Sequence, residues 1–498
     1  MSSALNAATT HSQSRDAWLR HGSSLMAETL YRDAACCYQD ALEEFPNDAH
    51  LWYCKGVALH QEKKLWEAID CYSTALQIKI DFAEAFENLA QAQVDLLMFD
   101  DALLSIQAAL ALQPQKALAH ARQASILVKL CHYDEAIAAA TTAIHLNPNS
   151  ADGYFIRSNA YRGLNLLPNS IQDLKTAMSL RPQEPNYSYN LSFDLLLSGQ
   201  LEEGWRQYET RFQTEDFIKN KAAMDSPRWT GEESLQGKTL FICPEQGLGD
   251  QIQFSRYALN AIEKGAHVVM AASPVLLPFL KSLHPKIQWV SSEKTVDELP
   301  DHDFHCPLMS LPLAFKTNLN SIPTLTSWLT PSQKSVDCWQ SRIDSSRQRL
   351  SVGISWSGNK KHINNHNRSM ALQMLSPLLE IDVDWHIVQT DIEPTDEAQL
   401  GEWPNLFNWK SQLRDFDDTA GLINQLDLVI TVDTSVAHLA ASMGKPTWIM
   451  LPFAPDFRWL LNQTDSPWYS SVKLFRQPAP RAWAPVIATI RESLLMRS

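Results

Sequence analysis

The chain opens with a pattern of small apolar positions that recurs every 34 residues. Ala34, Ala68, Ala102 and Ala136 keep this spacing, continued by Ser170 and Gly204. A second series, Ala41, Ala75, Ala109, Ala143 and Ala177, runs seven residues later. Pro46, Pro114, Pro148 and Pro182 mark the next landmark, with Ile80 in the missing slot. An aromatic opens most units (Trp18, Trp52, Phe86, Tyr154), and Tyr38, Tyr72 and Tyr208 lie before the second small position. Small residues let two helices approach closely, aromatics fill the space between neighbouring units, and proline stops one helix before the next begins. The pattern predicts an α-solenoid of six helix pairs over 15–218. The sixth is degenerate at Gly204 and Arg211, as suits a cap or a junction. Residues 1–14 lack the pattern and are expected to be disordered.

From 219 to 237 the periodicity is lost, and this stretch reads as a linker. Short apolar runs then alternate with helical spacings. Strands are expected at 239–243, 267–271 and 287–290, with helices at 251–264 and 276–283. A second set begins with strands at 351–356, 384–389, 426–432, 446–451 and 472–476. Its helices are expected near 371–380, 418–426, 433–443 and 482–496, with Asp418 or Thr419 capping the second and Gly444 closing the third. This predicts an α/β region of two Rossmann-like halves, 238–340 and 341–498, with a cleft beyond the carboxyl ends of their strands.

The bulk properties narrow the functional classes. A chain of 498 residues exceeds one ordinary core. Hydrophobic residues at 45% and charged residues at 20% are a globular balance, and 16 glycines, roughly half the usual share, favour helix. With 42 basic and 56 acidic residues the net charge is −14, which disfavours nucleic-acid binding through a basic face. The acidity is concentrated before residue 219, where 16 basic residues face 27 acidic ones. Eight cysteines show no CxxC or Cys/His ligand spacing, so idle thiols in a reducing compartment are expected. The first residues lack a basic region followed by an apolar run, and no stretch reaches the ~18 apolar residues of a membrane span. A soluble, cytoplasmic protein is the expectation.

Four loops at expected strand ends carry candidate chemistry. In Glu245-Gln246-Gly247-Leu248-Gly249-Asp250 the glycines permit a tight turn and close approach of a substrate. Asp250 is either a general base for an acceptor hydroxyl or a plain helix N-cap. The loop from Ser357 to Ser369, with Asn359, Lys360, Lys361 and Arg368, either brings cations to a diphosphate or is a solvated surface loop. Asp433-Thr434-Ser435-Val436-Ala437-His438 leads from a strand to a helix N-terminus, where free N–H groups favour phosphate. Thr434 and Ser435 add hydroxyl donors. Asp433 would repel phosphate, so it caps the helix or binds a sugar hydroxyl. His438, one turn on, reaches the ligand or is a packing histidine. Lastly, Phe, Trp and Arg of 451–461 either stack on a base or sugar or pack an interdomain wall. Asp382-Val383-Asp384 abuts an expected strand and does not read as a metal–diphosphate site.

Together, EGWRQYETRF (203–212), PRWTGEESLQGKTLFICPEQGLGDQIQFSRY (227–257), FHCPLMSLPLAF (304–315), VGISWSGNKKHINNHNRSM (352–370), DLVITVDTSVAHLAASMGKPTWIMLPFAPDFRWLL (427–461) and SPWYSSVKLFRQP (466–478) resemble bacterial proteins that join tetratricopeptide repeats to a heptosyltransferase-like domain of the GT-B fold (glycosyltransferase family 9-like). The resemblance implies that Asp250 is the base and that Asp433, Thr434, Ser435 and His438 contact the donor's diphosphate and sugar. It also implies a donor-phosphate lysine, for which Lys360 and Lys361 compete with Arg368. The arrangement is similar to protein O-GlcNAc transferases in architecture only.

The expected activity is an inverting, metal-independent transfer of a sugar from a nucleotide diphosphate-sugar to a hydroxyl, with no other cofactor. The first half would hold the acceptor and the loop Gln246, Gly247 and Gly249, and the second the donor. Three readings stay open: a protein or peptide acceptor bound by the repeats, a glycan or lipid-linked acceptor, and an inactive interaction scaffold.

Overall fold

A computed structural model describes residues 14–220, 226–343, 349–360 and 364–497. The segments 1–13 and 221–225 lie outside the described residues, so most of the expected disordered N-terminus and part of the linker do too. The chain forms two compact units, Met1–Pro182 and Gln183–Ser498.

The first unit is a run of antiparallel helix pairs: Arg15–Ala27 with Tyr31–Glu44, Ala49–Gln61 with Leu65–Ile78, Ala83–Asp95 with Phe99–Leu112, Ala117–Lys129 with Tyr133–Leu146, and Ala151–Gly163 with Leu167–Leu180. The periodic alanines are buried throughout. Their neighbours explain the small positions. A Cβ on Gly56 would come within 2.7 Å of the Tyr72 ring, and Gly22 meets Tyr38 in the same way. The connections repeat as well. Thr29, Lys63, Leu97, Cys131 and Asn165, each 34 residues after the last, adopt left-handed backbone at φ 58–65°. Most of these are residue types for which that conformation is uncommon. Trp52 Nε1 donates to the Pro46 carbonyl at 2.8 Å, and His120 Nε2 lies 2.9 Å from the Pro114 carbonyl. His120 thus fills the aromatic slot that the sequence pattern left empty.

The sixth pair, Pro185–Leu197 and Leu201–Tyr208, belongs to the second unit. Its degeneracy has a physical cause. Arg211 is fully buried and pairs bidentately with Glu245 (2.9 and 2.9 Å) while also meeting Ser310 and Glu209. Trp205 packs edge-on to Phe254 and Phe457. These residues dock the pair on the α/β region rather than on a further repeat.

That region holds two sheets. The first comprises β1 (Thr239–Cys243), β2 (His267–Ala272), β3 (Gln288–Ser291) and β4 (Phe304–Pro307), all parallel in the order β3-β2-β1-β4. The second comprises β5 (Ser351–Ser355), β6 (Asp384–Ile387), β7 (Leu406–Asn408), β8 (Leu428–Val432), β9 (Thr447–Leu451), β10 (Asp465–Ser466) and β11 (Tyr469–Arg476). Its order is β10-β11-β9-β8-β5-β6-β7, parallel except for β10 against β11. Consecutive strands lead away from β1 and from β5 to both sides, which opens a crevice at their carboxyl ends. The second sheet is covered by a core that includes Trp356, Trp385, Trp448 and Trp483.

Several expectations are corrected. The helix expected at 251–264 is two, Leu248–Phe254 and Tyr257–Glu263. At the break, the side chains of Ser255 and Arg256 bond back to the carbonyls of Ile252 and Gln253 (2.8 Å each), competing with the helical ladder. The helix at 276–283 shrinks to one turn, Leu277–Leu280, and that at 371–380 splits into a 3-10 turn, Leu372–Leu375, and Ser376–Leu379, with Pro377 at the start of the second. Asp415, not Asp418 or Thr419, caps Phe416–Asn424 by accepting from the Asp418 N–H at 2.9 Å. Strands β4, β7 and β10 were not expected. The boundary at 340 also shifts. Helix Gln333–Gln340 packs on Phe416–Asn424, where Gly421 leaves room for Ser335 and for Trp339 (2.7 Å from an added Cβ). That helix therefore belongs with the second sheet. The stretch read as a linker is also tied down: the Trp229 N–H donates to the His305 carbonyl at 2.8 Å, and its ring is buried against Phe315.

Candidate functional site

The loops after β1, β5, β6, β8 and β9 line one cavity of about 590 Å³. Gln246, Gly247, Gly249 and Asp250 approach it from the first sheet. Asn359 and Arg368 come from the loop after β5, and Asp433, Thr434, Ser435 and His438 from the loop after β8. Lys360 is not brought in. It is exposed and pairs with Glu393 at 2.8 Å. Lys361 lies outside the described residues.

On the first side, Gln246 turns the chain through left-handed backbone at φ 58°. The Gly247 N–H donates to Asp250 Oδ2 at 2.8 Å, so this carboxylate closes the first turn of its helix. Gly249 is required by contact across the cleft, since a Cβ there would come within 2.6 Å of His438 Cδ2. Asp250 has a partner in the 451–461 stretch: its other oxygen pairs with Arg458, which also donates to Asp456 at 2.6 Å. Burial pushes the Asp250 carboxyl above its ordinary range, with Arg458 opposing. Burial alone would lower the Arg458 pKa, but Asp250 and Asp456 outweigh it and raise it, so the guanidinium stays charged. The sequence marks this arginine, with its neighbours, for stacking on a ligand or for an interdomain wall, but not for pairing with Asp250. Phe457 and Trp459 beside it are buried rather than exposed for stacking.

On the second side, Thr434 occupies the N-cap position of helix Ser435–Ser442, and its side chain makes no capping bond. The reading of Asp433 as the cap is therefore set aside. Its carbonyl accepts from Arg368 Nη1 at 3.0 Å. Burial raises the Asp433 carboxyl to about 6, Asp456 reinforces this, and Arg368 and Arg458 oppose it. His438 is buried, with Nδ1 2.7 Å from the Tyr469 hydroxyl and its ring stacked on Trp459 at 5.5 Å. Burial first, then Arg458, Arg256 and Arg368, holds its pKa well below the usual histidine value. It is neutral. Gln389, at the end of β6, was missed too. Its Oε1 accepts from the Ser355 hydroxyl (3.0 Å) and the Trp356 N–H (2.8 Å), fixing the start of the loop after β5. Glu245, the remaining carboxylate of the first loop, is held by Arg211 and the Met309 N–H (3.1 Å) and does not line the cavity.

Comparison with known proteins defines a class first. A tetratricopeptide-repeat family model matches residues 19–81 and 121–185. The N-terminal region is thus built of tetratricopeptide repeats. Among solved structures, YrrB, described as a TPR protein with an unusual peptide-binding site, is 20% identical with a TM-score of 0.32 over 35% of this chain and 89% of its own. MamA from Desulfovibrio magneticus RS-1 is 19% identical with a TM-score of 0.31 over 35% of this chain and 97% of its own. The peroxisomal targeting signal receptor of Saccharomyces cerevisiae is 37% identical over 73 residues, 14% of this chain and 12% of the receptor.

One particular relative extends beyond the repeats into the α/β region. Protein FlbA of Caulobacter vibrioides is 23% identical over 442 residues, 83% of this chain and 73% of that protein. Among the described residues, no helix is long and apolar enough to cross a membrane.

Proposed function

We propose that the α/β region is a nucleotide-sugar-dependent glycosyltransferase of GT-B type and that the repeats bind its protein or peptide acceptor. The observation that carries this reading is the convergence, in one cavity lined from both sheets, of Asp250 with Thr434, Ser435, His438 and Arg368. The diphosphate lies against the start of helix Ser435–Ser442, where free N–H groups and the macrodipole favour anions and Arg368 adds a cation. The acceptor hydroxyl enters from the β1 side. Its oxygen attacks the anomeric carbon as the bond from that carbon to the phosphate oxygen breaks. The electron pair leaves with the nucleoside diphosphate, the proton passes to Asp250, and the anomeric centre inverts.

A second reading is favoured by the Asp250–Arg458 pair, which holds the candidate base and joins the two halves. On that reading the cleft is a structural seam and the chain a scaffold. Isothermal titration of the full chain with ADP, UDP and GDP separates the two. The transferase reading expects one of them to bind at one site per chain. No heat with any nucleotide or its sugar would overturn it.

A further inference from the structure

We infer that Tyr469 is a positioning residue: by donating its phenol proton to Nδ1 of His438 it fixes that ring in the Nε2–H form, which offers a hydrogen-bond donor to an anionic ligand oxygen in the cleft. The first support is geometric. The Tyr469 oxygen and His438 Nδ1 are 2.7 Å apart, and both groups are buried. The ring cannot turn freely. Trp459 stacks on it with an interplanar angle of 22°, and Gly249 sits against its Cδ2 edge.

The second support is electrostatic. Arg256 is fully buried, and its guanidinium lies 3.9 Å from the Trp328 ring centre and 4.8 Å from that of Tyr469. It donates to the carbonyls of Trp468 (2.7 Å) and Pro323 (3.1 Å). With this cation over the ring, a phenol proton turned toward His438 is favoured over one turned toward the guanidinium. Burial first, and then the nearby Arg458, Arg256 and Arg368, disfavour an imidazolium, so the ring holds one proton. When Nδ1 accepts, that proton sits on Nε2.

The consequence is chemical. His438 lines the cavity, and its Nε2 makes no hydrogen bond among the described residues. An Nε2–H donor beside Arg368 and Thr434 suits a phosphate oxygen. A bare Nε2 lone pair would repel it. In this state His438 is no proton acceptor at Nε2, which leaves that role to Asp250. The inference rests on the nucleotide-sugar reading for the identity of the ligand, but the ring's tautomer does not depend on it.

The test is a long-range 1H–15N correlation spectrum of the full chain labelled with 15N-histidine, with His438 assigned by the signal lost in His438→Gln. The neutral Nε2–H pattern is expected from about pH 6 to 8, where an unperturbed histidine would change charge. An Nδ1–H or imidazolium pattern in that range would overturn the proposal. In Tyr469→Phe the His438 pattern should shift toward a mixture of tautomers, and the affinity for whichever of ADP, UDP or GDP binds should fall about tenfold, the loss of one charge-assisted bond. An unchanged His438 spectrum in that variant also overturns it. If no nucleotide binds the unaltered protein, the transferase reading fails, and the spectrum still decides the tautomer.

Discussion

The repeats and the cleft pair their polar groups over very different spans of chain. In the repeats, partners lie within one helix pair or in the neighbouring pair. Arg157 pairs with Asp173 sixteen residues on (2.7 Å), and Asn88 reaches the Tyr53 hydroxyl 35 residues back (2.9 Å). Glu87 is held by Arg122, also 35 residues away. The first closes one helix pair and the other two tie one unit to the next, so these groups hold the stack together. In the cleft, Asp250 and Arg458 meet across 208 residues and two sheets. There Arg368 and Arg458 each keep a buried Nε without a hydrogen bond. Buried donors without partners are costly, and the repeats hold some too, at Trp18 and Tyr72, so what sets the cleft apart is the span its ion pair bridges.

This contrast can be broken, and the largest effect lies at Asp250. Asp250→Asn should lower turnover by ~10²–10⁴-fold, the usual worth of a general base. Asparagine still caps a helix, and Arg458 retains Asp456, so nucleotide affinity should stay within a few-fold. A melting curve run beside the assay separates lost chemistry from lost folding. Wild-type turnover in the folded variant would remove Asp250 from the mechanism.

Tyr72→Ala probes the other region. The ring is fully buried against Gly56, and truncating a core aromatic costs about 3–5 kcal/mol. Thermal or urea unfolding should show that loss in the repeat transition, with nucleotide affinity unchanged in conditions where the variant stays folded. A parallel loss of affinity would mean that the two regions are not energetically separate.

Thr434→Val removes a hydroxyl from the start of helix Ser435–Ser442 while roughly keeping its shape. If that hydroxyl bonds phosphate, calorimetry should read a loss of about 1.5–3 kcal/mol, tenfold to over a hundredfold in affinity. Equal affinity would place the phosphates elsewhere, first against Arg368.

Asp433 gives a pH signature of similar or smaller size. Its carboxyl is raised by burial to about 6 in the fold, against 3.8 ordinarily. Between about pH 4 and 6 the folded state therefore holds more protons than the unfolded one, and this group's contribution to stability falls as pH rises. Asp433→Asn abolishes that descent. Its unfolding free energy should gain on wild type by on the order of 1–3 kcal/mol between pH 4 and 7. A constant difference would show that Asp433 titrates normally.

The repeats were legible because every unit restates the same helix pair, so Ala34 to Ala177 could be read without any long-range contact. Their left-handed turns were not legible, because Thr29, Lys63, Leu97 and Cys131 are not residue types that mark such turns. Strands such as β1, β5, β8 and β9 showed as continuous apolar runs, as parallel strands buried on both faces do. The short strands β4, β7 and β10 offer too few residues for a period to emerge. The cleft's own residues were legible from the glycines after β1 and the Asp-Thr-Ser step after β8. Their partners were not. Arg458, Arg256 and Tyr469 lie in segments the sequence singles out, but their contacts do not show there, and Gln389 stands outside them; each acquires its role only when the fold brings it beside Asp250, Ser355 or His438.

On the proposed reading, a nucleoside diphosphate sits in this cleft with its phosphates on the second sheet's side. A crystal structure of the full chain with the bound nucleotide tests this most directly. The phosphates should lie within hydrogen-bond reach of Thr434, Ser435 and Arg368, with a His438 Nε2 contact to an anionic oxygen and with Asp250 facing the vacant acceptor side. Phosphates bound outside the cavity, or a cleft that stays closed on the Asp250–Arg458 pair with nucleotide bound elsewhere, would contradict it.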